Sequence, residues 1–277
     1  DIATKISEIG VASVAICFIN AYVDSRHEAR MRDILLEEYP DCHVALSSET
    51  ARKFREHGRF STTVVRAALL PVMAVYFDRL RDGLKAKGFT GSLLSLKSNG
   101  GMMGVELAKE RPEELVESGP AGGVAYARYL SRTTDFSNII HTDMGGTTFD
   151  ASIVENGEGL ITHEYEIEWE MPITTPMLDI RSVGAGGGSI AWVDTGGSLR
   201  VGPQSAGSDP GRACYRLGSS PATAPATGAL AGLLPRVAPR GKCRVEQNYL
   251  LRRARAGLTA YWRRDPSSEI RALRSEL

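Results

Sequence analysis

The chain has 277 residues, of which 42% are hydrophobic and 24% charged. That is an ordinary globular composition, and it excludes a chain disordered throughout. Lys+Arg and Asp+Glu both total 33, which excludes a uniformly basic nucleic-acid binder.

Taken in chain order, DIATKISEIG reads as a helix end closed by Gly10. Val11 to Ile19 is a continuous apolar run that predicts a strand buried on both faces. Glu28 to Glu38 has helical spacing, with Pro40 just beyond it, and His43 to Leu46 reads as a second short strand. Strand, helix and strand in succession predict an α/β unit with a parallel pair. A long helix is expected from Ser61 to about Lys87, with a kink or break at Pro71. Ser92 to Leu96 reads as a strand, followed by the turn Ser98-Asn99-Gly100-Gly101 and a short helix after Gly104. Ser118 suits the N-cap of a helix running to Leu130, with Pro120 at an early position. Residues 137–143 and 149–154 alternate as two strands, and Asn156-Gly157 is a hairpin turn. The alternating acidic run from His163 to Glu170 predicts a strand with a solvated acidic face. Ile173 to Val183 reads as a further strand, and a last hairpin is expected around Thr195-Gly196-Gly197.

The string between the two strands, Asp143-Met-Gly145-Gly146-Thr147-Thr148-Phe-Asp150, carries the clearest chemistry. Gly145 and Gly146 lack Cβ, so their backbone can approach a phosphate and offer N–H groups. The hydroxyls of Thr147 and Thr148 can donate to phosphate oxygens. Asp143 at a strand end is the candidate ligand for the Mg²⁺ that accompanies a nucleoside triphosphate such as ATP. Asp150, across the hairpin, is the candidate to orient water or add a second Mg²⁺ ligand, and it joins Asp143 as a candidate catalytic residue. The bland alternative is a structural turn. Gly184-Ala-Gly186-Gly187-Gly188-Ser189 is a second candidate anion nest, its alternative being a flexible loop. His141 is read as structural, and the turns at Ser98 and at Ser118-Gly119-Pro120 divide evenly between ligand loops and plain packing.

The Asp143–Asp150 string resembles the second phosphate loop of the actin, sugar-kinase and heat-shock chaperone superfamily of ATPases. Four further strings are more particular: EHGRFSTTVV at 56–65, KSNGGMM at 97–103, ESGPAGGV at 117–124 and SVGAGGGSIA at 182–191. Together they resemble the hydantoinase A/5-oxoprolinase family over residues 1 to about 215. The resemblance implies a partial α/β lobe of the actin-like, ribonuclease H-like kind, a mixed sheet with flanking helices, in an enzyme whose nucleotide cleft lies between two such lobes. It implies ATP and Mg²⁺ as cofactors and phosphoryl activation of a carbonyl oxygen in a hydantoin-type or 5-oxoproline-type cyclic amide. A ketone carboxylase subunit is the alternative within the family, and a non-catalytic nucleotide-binding remnant the alternative outside it. A hydantoinase B-type partner subunit is expected; nucleic acid and membrane are not.

On this reading residues 1–60 are the end of a first lobe and 61–215 a truncated ATPase-type domain. The family's first phosphate loop is missing, and the sequence reads as an internal fragment. From Arg216 onward 12 basic residues stand against 4 acidic, while the chain before it holds 21 and 29. This Ala/Pro/Arg-rich stretch, 216–277, is read as an atypical tail, with a frameshift as its expected origin. No signal peptide is expected, and no unbroken apolar run is long enough to span a bilayer. Cys17, Cys42, Cys214 and Cys243 form no CxxC pair. They predict reduced thiols in a cytoplasmic protein.

Overall fold

The computed structural model describes residues 2–184 and 186–207. The tail read at 216–277 lies outside the described residues, as do Cys214 and Cys243. The chain divides into two compact units, one of Asp1–His141 with Ser152–Ile180, the other of Thr142–Ala151 with the chain from Arg181.

The first unit opens with helix α1 (Ile2–Ile9), closed by Gly10 at φ 71, whose N–H donates to the Ile6 and Ser7 carbonyls. Strand β1 (Ser13–Ile16) pairs in parallel with β2 (His43–Leu46), from Ser13 opposite His43 to Ile16 opposite Leu46, and α2 (Arg26–Glu38) makes the crossover. This is the α/β unit that the alternation of periods predicts. Its core is Ala3, Leu35 and Cys42. A single helical turn, α3 (Ser47–Thr50), follows β2 directly.

Helix α4 (Glu56–Ala86) is the spine of this unit. It begins five residues before Ser61 and runs unbroken through Pro71, where the sequence predicts a kink or break. Packing on both sides of the proline accounts for the difference. Ala67 and Leu70 sit against Ala45 of β2, and Phe77 packs against Met103, Val105 and Ala108. Held at both ends, the helix tolerates the lost N–H of Pro71. Pro71→Ala is therefore expected to stabilise the fold by about 1 kcal/mol or more, read as a raised denaturation midpoint in urea. By length and composition alone α4 is apolar enough to cross a membrane; here its apolar residues enter three of the hydrophobic clusters.

Strands β3 (Leu94–Leu96) and β4 (Met102–Gly104) form a hairpin over the predicted glycine turn, with Gly100 at φ 81. They lead into α5 (Val105–Glu110), a 3-10 turn (Pro112–Leu115) and α6 (Ser118–Thr133). Ser118 is the first helical residue rather than the cap; the cap is Glu117, in the left-handed region at φ 60. Ala121, Val124 and Ala127 of α6 close a core with Val154, Leu178 and Ile180.

Strand β5 (Ile139–Met144) and strand β6 (Phe149–Glu155) carry the chain into the second unit and back. Asn156 and Gly157, both at positive φ, turn β6 into β7 (Glu158–Gly159), as the Asn-Gly signal requires. The remaining short strands are β8 (Ile161–Thr162), β9 (Tyr165–Glu166), β10 (Pro172–Ile173), β11 (Met177–Leu178) and β12 (Ile180–Val183). The predicted strand over 173–183 is thus three pieces, because β10 pairs with β9, β11 with β8, and β12 joins the sheet ordered β12–β6–β5. In the acidic run only Tyr165–Glu166 is strand, since the backbone turns at Glu170 (φ 63). Its glutamates are exposed, as expected. The second unit ends in the predicted hairpin, β13 (Ser189–Val193) with β14 (Leu199–Ser205).

One polar feature of the first unit gives no periodic signal in the sequence. Arg59 and Glu28 are 1% and 0% exposed. Glu28 accepts from the Phe18 N–H (2.8 Å), the Ser47 hydroxyl (2.6 Å) and the Ser48 N–H (2.9 Å). Arg59 donates to Ser47 Oγ (3.1 Å), the Lys53 carbonyl (2.9 Å), the Phe18 carbonyl (3.0 Å) and Glu56 Oε1 (3.2 Å). Its guanidinium lies near the Tyr22 and Phe60 rings. The two charges share Ser47 and clamp the ends of β1 and β2 to the start of α4. Burial of Cys17 and Cys42 pushes both thiols up, and both are free.

Candidate functional site

The site is built inside the second unit from the turn between β5 and β6 and from the segment before β13. Gly145 N–H donates to the Thr148 carbonyl (3.0 Å), which closes the turn. The three carbonyls of Gly145, Gly146 and Thr147 are then taken by successive amides of the other glycine segment. Gly187 N–H donates to Gly145 O (2.9 Å), Gly188 N–H to Gly146 O, and Gly186 N–H to Thr147 O (3.0 Å). The structure thus brings together two strings lying some forty residues apart, Gly145 to Thr148 and Gly186 to Gly188.

The contact admits no side chain. A Cβ on Gly186 would lie 2.4 Å from the Thr147 carbonyl carbon and 2.5 Å from the Thr148 nitrogen. One on Gly188 would lie 2.7 Å from the Gly146 carbonyl oxygen. Both approaches are against backbone, so the glycines are sterically required. That is a physical reason for a glycine-rich string other than flexibility.

The hydrogen bonds also fix where the turn's amides point. In a planar trans peptide the N–H lies opposite the preceding carbonyl. With the carbonyls of residues 145, 146 and 147 drawn toward the glycine segment, the N–H groups of Gly146, Thr147 and Thr148 face the other way. That face is open: Gly145 to Thr148 are all exposed. Among the described residues neither the Gly146 nor the Thr147 N–H meets an acceptor, and neither threonine hydroxyl is engaged. Three successive amides turned to one side form a donor array suited to an anion.

Asp143 stands exposed near the end of β5, beside the donor array. Asp150, on β6, is 8% exposed and its Oδ1 meets no hydrogen-bond donor. A buried carboxylate oxygen left unsatisfied is costly, and such groups recur where a cation or a water is held. Gly184 takes no part in the contact. It is exposed, and its carbonyl accepts from Ser189 Oγ (3.2 Å) beneath the close approach of Gly202. Among the described residues no group of three or more His, Cys, Asp or Glu side chains could hold a metal. Mg²⁺ would need phosphate oxygens and water beside a carboxylate, which is its usual habit. The residues present therefore fit a phosphate chain with Mg²⁺, through the outward amides, the free threonine hydroxyls and the Asp143 carboxylate.

The other candidates resolve as packing. His141 lies 3.5 Å from Ser152 Oγ and covers Gly123, where a Cβ would fall 2.2 Å from Nε2. Gly122 lets Leu96 approach α6, at 3.3 Å from the position of a Cβ. Ser98 is buried and donates to the Glu114 carbonyl (2.7 Å) and to that of Val116.

A mixed α/β architecture with a glycine-built turn between two strands is that of a partial actin-like lobe. The chain belongs to the hydantoinase/oxoprolinase family, matching it over residues 59–263. It is 35% identical over 208 residues to caprolactamase subunit alpha of Pseudomonas jessenii, covering 75% of this chain and 30% of that protein. The crystal structure of the ATP-dependent caprolactamase from that organism superposes with a TM-score of 0.74 at 32% identity, over 91% of this chain and 36% of the other. The 5-oxoprolinase of Saccharomyces cerevisiae is 36% identical over 236 residues, 83% of this chain and 18% of the enzyme. A nucleotide-free structure of acetone carboxylase, from work on ATP-dependent acetone carboxylation, superposes with a TM-score of 0.72 at 25% identity, covering 93% of this chain and 37% of that one. The chain thus spans about a third or less of the length of these relatives.

Proposed function

We propose that the chain is the phosphate-binding part of an ATP-dependent hydrolase of cyclic amides, acting by phosphoryl activation of a carbonyl oxygen. The observation that carries this reading is the outward amide array of Gly146, Thr147 and Thr148. Similarity to a caprolactamase and a 5-oxoprolinase supports the cyclic amide as substrate class. Similarity to acetone carboxylase supports a second reading, a ketone carboxylase subunit using the same activation.

ATP supplies an activated phosphoryl group, which converts an inert carbonyl oxygen into a leaving group. The chain's own residues position and neutralise, as phosphoryl transfer demands. The amides of residues 146–148 and the two threonine hydroxyls hold phosphate oxygens. Asp143 would offer its carboxylate to Mg²⁺, and Asp150 would hold a water or complete the cation's shell. Gly186, Gly187 and Gly188 act through the turn by fixing its carbonyls, which is a positioning role. A B-type partner subunit would complete the chemistry, in the cytoplasm.

Thr147→Ala and Asp143→Asn are each expected to weaken Mg·ATP binding by about tenfold, the loss of one charge-assisted contact. Equilibrium titration measures it, and unchanged affinity in both would remove these residues from the site. Lactam-dependent ADP release in the presence of the partner subunit supports the hydrolase; release with acetone and bicarbonate instead supports the carboxylase.

A further inference from the structure

The hairpin that closes the second unit is irregular where it meets the glycine segment. Ser189 pairs with Ser205 and Ala191 with Val201, so the single residue 190 of β13 faces three residues of β14, 202–204. A bulge of this kind bends its strand and re-aims what the strand carries, and bulges recur beside active sites. Here it brings Gly202 against Gly184. Gly202 is buried, at φ 70, and a Cβ on it would overlap the Gly184 carbonyl oxygen.

Both sides of that close approach are held by side chains. The Gly202 carbonyl accepts from Trp192 Nε1 (2.8 Å). This acceptor lies in the bulge, outside the regular ladder, and the indole supplies the donor that a buried carbonyl needs. The Gly184 carbonyl accepts from Ser189 Oγ (3.2 Å), and Ser189 is 1% exposed. At the far end of the glycine segment the Gly188 carbonyl accepts from the Ala206 N–H (2.8 Å), just past β14. The segment is thus bounded at residues 184 and 188 by β14 and the residue after it. From that seat its amides at 186, 187 and 188 reach the carbonyls of the turn between β5 and β6.

We propose that Trp192 and Gly202 are positioning residues of the anion site, seating the glycine segment where its amides meet the turn. The functional consequence rests on the proposed phosphate reading; the seating itself does not. Without the indole donor the buried Gly202 carbonyl is left unsatisfied, and the bulge shifts to find another partner. A side chain at residue 202 would push the Gly184 carbonyl away, and φ 70 disfavours every residue but glycine. In both cases the segment moves and the carbonyls of residues 145–147 lose their fixed donors. The amides of residues 146–148 then lose their common direction. Neither Trp192 nor Gly202 belongs to the donor array, so each acts only through the glycine segment.

The test is nuclear magnetic resonance of the 277-residue chain, with and without Mg·ATP. Trp192→Phe keeps an aromatic ring and removes the donor. Without nucleotide it should speed hydrogen exchange at the Gly186, Gly187 and Gly188 amides by about tenfold, the loss of one hydrogen bond, and shift the amide resonances of residues 146–148. Mg·ATP affinity should fall about fivefold in Trp192→Phe, on the same scale, and further in Gly202→Ala. In the unaltered chain the Trp192 indole N–H resonance should move on adding Mg·ATP and stay in place with adenosine; a bond that only stabilised the hairpin would not respond. Unchanged exchange at residues 186–188 in Trp192→Phe would overturn the proposal. So would faster exchange spread evenly along β13 and β14 with the 146–148 resonances in place, or unaltered Mg·ATP affinity in both variants. If the unaltered chain binds no Mg·ATP, the phosphate reading falls, and exchange at residues 186–188 still decides the positioning.

Discussion

Gly186→Ala is expected to reduce Mg·ATP affinity at least tenfold, while Gly184→Ala, two residues away in the same glycine string, leaves it unchanged. A methyl at residue 186 would meet backbone atoms of Thr147 and Thr148 at 2.4 and 2.5 Å, and backbone cannot rotate aside. Relief requires the two loops to part. That breaks the bonds from residues 186–188 to the turn's carbonyls and frees the amides of 146–148 to rotate. Overpacking of this kind costs about 1–3 kcal/mol, and the binding loss comes in addition because the donor array is no longer pre-formed. At Gly184 an added Cβ meets nothing within 4 Å. The pair separates a steric requirement from a general need for flexibility: if glycine served only flexibility, both alanines would weaken binding alike. Titration of the two variants, with urea midpoints measured in parallel, decides it.

The second large effect is expected in the first unit. Glu28→Ala and Arg59→Ala should each destabilise the fold by about 3–5 kcal/mol, because each leaves charged or polar partners buried and uncompensated. For Glu28 the stranded groups are the Phe18 and Ser48 amides and the Ser47 hydroxyl. For Arg59 they are the Phe18 and Lys53 carbonyls. Since both bond to Ser47, the double variant should cost less than the sum of the two. The network also sets a pH dependence. Burial pushes the Glu28 carboxyl up, but the donors from Ser47, Phe18 and Ser48 outweigh it and hold the group below the ordinary glutamate range. A carboxylate lowered on folding stabilises at pH above its unfolded value, and that contribution is lost as pH falls through the folded value. Glu28→Gln should flatten this acid limb of the stability curve; an unchanged limb would assign it to other carboxylates.

Much of this architecture is visible in local pattern. The β1–α2–β2 unit follows from an apolar run, a helical period and a second apolar run, and the Asn156-Gly157 turn from its dipeptide. Both are local rules, and tertiary packing agrees with them. The pattern misleads where packing overrides it. Pro71 does not interrupt α4, because the clusters around Leu70 and Phe77 hold the helix on either side. The apolar stretch 173–183 is three short strands, since each piece pairs with a different neighbour. The turn between β5 and β6 is legible because its residues are consecutive. What the sequence does not reveal is that Gly186 to Gly188 fix the turn by donating to its carbonyls at close approach, or that Gly184 stands apart. That distinction depends on distances between segments some forty residues apart. The Arg59–Glu28 clamp is assembled from residues with no shared spacing, so no periodicity marks it.

On the proposed function, the outward amides of Gly146, Thr147 and Thr148 receive the phosphates of ATP. Amide nuclear magnetic resonance of the 277-residue chain tests it at the atoms concerned and detects weak as well as tight binding. Adding Mg·ATP should shift those three N–H resonances strongly, whereas adenosine should leave them in place. Three unmoved resonances at saturating Mg·ATP, or equal shifts with adenosine, would contradict the account.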